Sequence, residues 1–190
     1  LRNEDGSRAE GWKGGPEGVY PKMLAGEATA GQKATIKYFV IVALLFLTQV
    51  MIGGALAHYR ADPGNFYGID LAQYLPSNIL RTWHLQLAIF WIATAYVAGG
   101  LLLASSLNQK EPRGHATGIH MLFWALVVLV VGSLLGELAG IHQMFGRFWS
   151  WFGHQGWEFL ELGRFWQIIL VIGLSFWLGL LYRATAPALK

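Results

Sequence analysis

Four long apolar stretches constrain this chain more than any other feature. They cover about residues 35–57, 79–104, 118–141 and 164–183. Each is near the roughly 20 helical residues needed to cross a hydrocarbon core of about 30 Å. In lipid a backbone must satisfy its own N–H and C=O groups, so such stretches fold as helices. The sequence therefore predicts an all-α, polytopic transmembrane bundle segment of about four spanning helices. Composition agrees, with 54% of the 190 residues hydrophobic and 13% charged, against about 25% charged in soluble domains. Residues 1–30, rich in Gly and charge, read as a polar cytoplasmic lead-in or linker, and residues 31–190 as the transmembrane part of a larger domain. The chain opens on Leu1 and reads as part of a longer polypeptide.

Charge sets the expected orientation. Lys22, Lys33, Lys37, Lys110, Arg113, Arg183 and Lys190 collect on one side, against Arg60, Arg81, Arg147 and Arg164 on the other. The richer side is predicted to be cytoplasmic, which places loops 58–78 and 142–163 outside. The net charge of +3 thus concerns topology and anionic lipid. No basic stripe with interleaved aromatics points to nucleic acid. The chain has no cysteine, which excludes disulfides, thiolate metal sites and a CxxCH haem attachment within it.

At the mouth of the second stretch, "LRTWHLQLAIFW" sets Arg81 and His84 three residues apart, on one helix face. An ionisable group at membrane depth costs roughly 2.5 kcal/mol or more, so it marks function by default. From His84 the helical repeat selects Ala88, Trp91, Ala95, Ala98 and Gly99, mostly small residues that leave room for a flat, bulky group. A neutral imidazole is a standard axial ligand of haem iron, and Arg81 suits a haem propionate. Spacing alone leaves this open against an interfacial pair that snorkels into the headgroups.

The segments "HYRADPGNFYGIDLAQYLP", "RTWHLQLAIFWIATAYVAGGLLLA" and "WFGHQGWEFLELGRFWQI" occur in that order. Together, from about residue 31 to the C-terminus, they resemble the quinol-dependent nitric oxide reductases of the haem-copper oxidase superfamily. The resemblance implies that the chain is the N-terminal part of a catalytic subunit in a bacterial cytoplasmic membrane. That enzyme reduces NO to N₂O with electrons from a membrane quinol. His84 then ligates a low-spin haem b. The full protein adds a high-spin haem, a non-haem iron and further transmembrane helices of the same polypeptide. The iron-site ligands are missing here: no His-His pair occurs, and the His154/Glu158 spacing in "HQGWE" matches a different family segment. The second haem ligand is expected from an absent helix. His120 lies roughly 25 Å from His84 in depth at about 1.5 Å per residue. A self-contained four-helix b-type cytochrome using His84 and His142 is the alternative, beside a cytochrome-c-dependent relative and a haem-free scaffold.

Two further groups complete the expected site. Glu158 and Glu161 precede the fourth stretch, with Arg164 three residues on. Carboxylates at a helix start are favoured by the dipole, but they also suit Ca²⁺. The resemblance implies a calcium held by haem propionates and a glutamate, matched best by Glu158 and next by Glu161. His58 and Asp62, four apart at the outer end of the first stretch, are the candidate quinol partners. An imidazole exchanges protons near neutral pH, and a carboxylate can relay them. The family has glutamate where Asp62 stands. A hydrated loop histidine and a turn aspartate before Pro63 remain the other reading.

Gly132, Gly136 and Gly140, spaced by four, predict close helix packing. Glu137 among them fits either a proton path or a snorkelling surface carboxylate and receives no assignment. His115 and His120 read as interfacial residues without special chemistry.

Overall fold

The first spanning helix begins where its own sequence can close it. In the computed structural model, which describes residues 28–63, 65–107, 111–153 and 162–186, helix α1 runs over Ala30–Ala61. Thr29 and Gln32 form a capping box: the Gln32 N–H donates to Thr29 Oγ1 (3.2 Å), and the Thr29 N–H donates to Gln32 Oε1 (2.9 Å). A distant residue finishes this end. The Glu111 carboxylate accepts from the Gly31 N–H at 3.0 Å and from the Thr29 hydroxyl, complementing the positive end of the helix dipole.

Three further long helices follow: α2 (Ser77–Leu107), α3 (His115–Ile141) and α5 (Arg164–Thr185). A 3₁₀ turn at Gly146–Phe148 and the short α4 (Trp149–Phe152) lie between the last two. All four long helices are long and apolar enough to cross a membrane. They begin and end within about five residues of the predicted stretches, and the longer observed ends carry polar residues that hydropathy alone leaves out. The inner pair, α2 and α3, buries far more of its apolar length in the bundle than α1 or α5.

α1 and α2 pack antiparallel along their whole length. Gln32 Nε2 donates to Ser106 Oγ (3.1 Å), Tyr38 shares a core cluster with Ala98 and Leu101, and Phe46 meets Trp91 edge-on at 5.3 Å. The His84 stripe therefore does not stand open as expected. α1 fills it at Trp91 and Ala98, because small residues in an apolar medium also invite a neighbouring helix. Space beside the stripe persists at Gly99, which is exposed with nothing within 4 Å of a built Cβ.

α3 joins α1 through the Tyr38 hydroxyl, which donates to Ile119 O (2.7 Å), and α2 through Trp83 Nε1, which donates to Leu134 O (2.9 Å). Its glycine stripe packs as predicted. A Cβ on Gly132 would lie 2.1 Å from the Trp166 ring of α5, and one on Gly136 would lie 2.0 Å from Phe152 O of α4. At the Glu111 end, His120 accepts from Lys37 Nζ (2.5 Å) as an exposed pair. His115, by contrast, is only 2% exposed, so it is a core residue rather than an interfacial one.

Candidate functional site

His84 is set by α1 as much as by its own helix. Its Nδ1 lies 3.0 Å from the Gln49 carbonyl oxygen. A carbonyl only accepts, so the ring proton belongs on Nδ1 and the lone pair on Nε2. That anchored tautomer is the one a metal-ligating histidine uses, with its other N–H donated to a carbonyl. The Gln49 amide nitrogen, 3.1 Å from Nε2, holds the lone pair. The ring lies against Gly53, where a Cβ would come within 2.7 Å of Cε1 and 3.0 Å of Nδ1. The donor chemistry and the glycine cradle both fit an axial haem ligand, provided the flexible Gln49 side chain turns aside. Arg81 sits one turn nearer the helix start, exposed.

This geometry makes a sharp expectation. In the full-length protein, Gly53→Ala pushes the imidazole off its Gln49 anchor and should remove most of the low-spin haem signal in a reduced-minus-oxidised spectrum. Gly54→Ala, whose Cβ meets nothing within 4 Å, should leave the spectrum intact. Equal spectra for both variants would separate His84 from haem.

His142 does not share the His84 position. It is the C-cap of α3, and its Nε2 donates to Tyr74 O at 3.3 Å. Trp83 meets Leu134, and in that antiparallel register His142 lies about 13 Å beyond His84 along the bundle, at about 1.5 Å per residue. No group of three or more His, Cys, Asp or Glu able to hold a metal exists among the described residues. Glu158 and Glu161, the expected calcium ligands, lie outside the described residues.

The His58 end is built from a tight hairpin. Phe66 and Ile69 exchange both backbone hydrogen bonds, at 2.9 and 3.1 Å, around Tyr67 and Gly68. Both central residues have positive φ, 54° and 88°, the two-residue turn geometry that glycine eases. The hairpin folds aromatic rings onto His58: Tyr67 stacks on it at 4.7 Å and 15°, and Phe66 meets it edge-on at 5.0 Å. His58 Nε2 donates to Asn65 O at 2.9 Å. α1 stops at Ala61, so Asp62 is the cap rather than a helical residue, and its N–H donates to His58 O at 2.9 Å. The two expected quinol partners are thus neighbours through the backbone.

Sequence reasoning missed Tyr59 and Tyr67. Tyr59 is 5% exposed, its hydroxyl has no hydrogen-bond partner among the described residues, and its ring meets Phe66 at 6.0 Å. The one available signal was the aromatic density of "HYRADPGNFYG".

Comparison with known proteins places the chain. The family model for Cytochrome C and Quinol oxidase polypeptide I matches residues 33–188, from the first turn of α1 through the end of α5. No curated protein gives a significant match. With that match over most of its length, the chain belongs to the Cytochrome C and Quinol oxidase polypeptide I family of membrane oxidoreductases, whose members typically bind haem.

Proposed function

We propose that this chain is the electron-accepting part of a quinol-dependent nitric oxide reductase. The full protein reduces two NO to N₂O and water with two protons and two electrons from a membrane quinol. The observation that carries the reading is the seating of His84, with Nδ1 on the Gln49 carbonyl and the ring on Gly53. Low-spin haem b, when bound there, accepts electrons singly. Arg81 would pair with a haem propionate, and Glu158, with Glu161 second, would hold the calcium.

The quinol reading rests on His58 and Asp62. A quinol sheds two protons as it gives up two electrons, and its flat ring suits a pocket of stacked aromatics. His58 keeps its Nε2–H on the Asn65 carbonyl and takes the first quinol proton on Nδ1, the nitrogen left with the lone pair, and Asp62 relays it to water. Tyr67 yields its stacking place to the quinol ring. Tyr59 offers the buried hydroxyl as a further hydrogen-bonding partner. These roles place the membrane quinol at the His58 end, outside the cytoplasm by the charge bias of the loops.

The test uses the full-length protein with quinol and NO. His58→Ala should lower kcat/KM for quinol roughly tenfold, the scale of one lost hydrogen bond. NO reduction driven by a small artificial electron donor should be unchanged. Asp62→Glu should be tolerated, whereas Asp62→Asn should slow quinol oxidation. Unchanged quinol kinetics in both His58→Ala and Asp62→Asn would move the pocket elsewhere. NO reduction from cytochrome c but not from quinol would favour the cytochrome-c-dependent relative.

A further inference from the structure

Glu137 lies within a membrane-spanning helix and is 0% exposed. The surface-carboxylate reading therefore fails. An ionised carboxylate at that depth is costly, so a buried one is retained for pairing or for proton chemistry.

Its surroundings are polar along one line. On α2, Asn78, Thr82 and Gln86 are four residues apart; on α3, Ser133, Glu137 and Ile141 are likewise four apart, so each set shares a face. Three contacts fix how the two faces meet. Asn78 lines a cleft with Gly140 and Ile141, Trp83 Nε1 donates to Leu134 O, and Phe90 clusters with Leu129 and Val130. In that register Thr82 stands level with Glu137, and Gln86 with Ser133. All four side chains are buried. The cleft at Asn78 is open, about 520 Å³ in volume, and bounded also by Gln143, Gly146 and Trp149. One turn beyond Gln86 and Ser133 the line ends at the apolar cluster of Phe90, Leu129, Val130 and Trp166. Among the described residues, titratable groups at this end are Arg81 and His84 on α2, His58, Tyr59 and Arg60 on α1, Asp62, Tyr67, Asp70 and Tyr74 in the loop after it, His142 after α3, Arg147 in the 3₁₀ turn and Arg164 at the start of α5.

We propose that Glu137 is a proton-holding site loaded from the His84 end of the bundle. Its carboxyl O–H gives its proton to water that enters through the Asn78 cleft and passes Thr82, leaving a carboxylate. It regains a proton by the same route, since the Phe90 cluster closes the other direction. The site goes beyond the nitric oxide reductase reading and does not depend on it, because the exchange needs neither haem nor quinol.

Infrared spectra of the full-length protein in lipid, recorded on transfer from H₂O to D₂O, test it. Wild type should show a protonated carboxyl C=O band that shifts in D₂O. The band should vanish in Glu137→Gln and change frequency in Glu137→Asp. Thr82→Val should slow the D₂O shift severalfold, whereas Thr94→Val, beyond the Phe90 closure, should not. A wild-type difference band that survives in Glu137→Gln overturns the proposal. So does its absence from wild type, the result for a carboxylate kept ionised by a cation. An unchanged exchange rate in Thr82→Val overturns the route. If Glu137→Gln fails to accumulate, the frequency in Glu137→Asp decides.

Discussion

Replacing His84 with alanine in the full-length protein should abolish the low-spin haem b absorption and lower quinol-driven turnover by more than about 100-fold. Even groups that only orient a metal ligand are worth about 10–100-fold, and here the ligand itself is removed. Alanine also vacates the space over Gly53 and releases the Gln49 carbonyl. The companion variant is His142→Ala. It should keep the bis-histidine spectrum, because His142 binds the Tyr74 carbonyl at the end of α3. Loss of the spectrum in His142→Ala would restore the self-contained four-helix cytochrome. An undisturbed spectrum in His84→Ala would end the ligand assignment.

The second large effect is expected at Gly136, through packing rather than redox chemistry. A Cβ there would lie 2.0 Å from Phe152 O, 3.0 Å from Phe152 C and 3.1 Å from Trp166 Nε1. The first two neighbours are backbone and cannot rotate away. The same Phe152 oxygen accepts the Trp166 Nε1–H at 2.8 Å, so the bond that ties α4 to α5 is lost with the packing. Gly136→Ala should destabilise the bundle by about 3 kcal/mol, the upper part of the usual range for overpacking. Folded yield and thermal midpoint in detergent are the measurements. Gly179→Ala on α5, with nothing within 4 Å of its Cβ, is the control and should be neutral. Equal midpoints for the two variants would mean that α4 is not pressed against α3.

The contrast between these sites shows what the sequence carries. Helix number and rough ends were legible, because lipid thickness and hydropathy act on each stretch separately. The glycine stripe was legible because a four-residue repeat of small side chains has few other uses. The face of α2 that meets α1 was not. Small residues around His84 announce either a flat ligand or a close helix, and the sequence cannot distinguish two things that need the same absence of side chains. Glu137 was ambiguous for a related reason, since helical position does not say whether a neighbour covers it. The rings around His58 depend on a two-residue turn with Tyr67 at positive φ, a conformation its side chain gives no reason to expect.

The Glu111 cap on α1 bears on how such a chain is made. The N–H of Gly31 waits for a carboxylate eighty residues further along. During synthesis α1 and α2 can pair as a hairpin through Gln32, Phe46 and Gln49, but the start of α1 stays incomplete until the connection after α2 has left the ribosome. Residue 111 precedes α3, so the cap needs only the first two helices and the connection after them. The start of the first helix is thus completed only by a residue translated after the second helix.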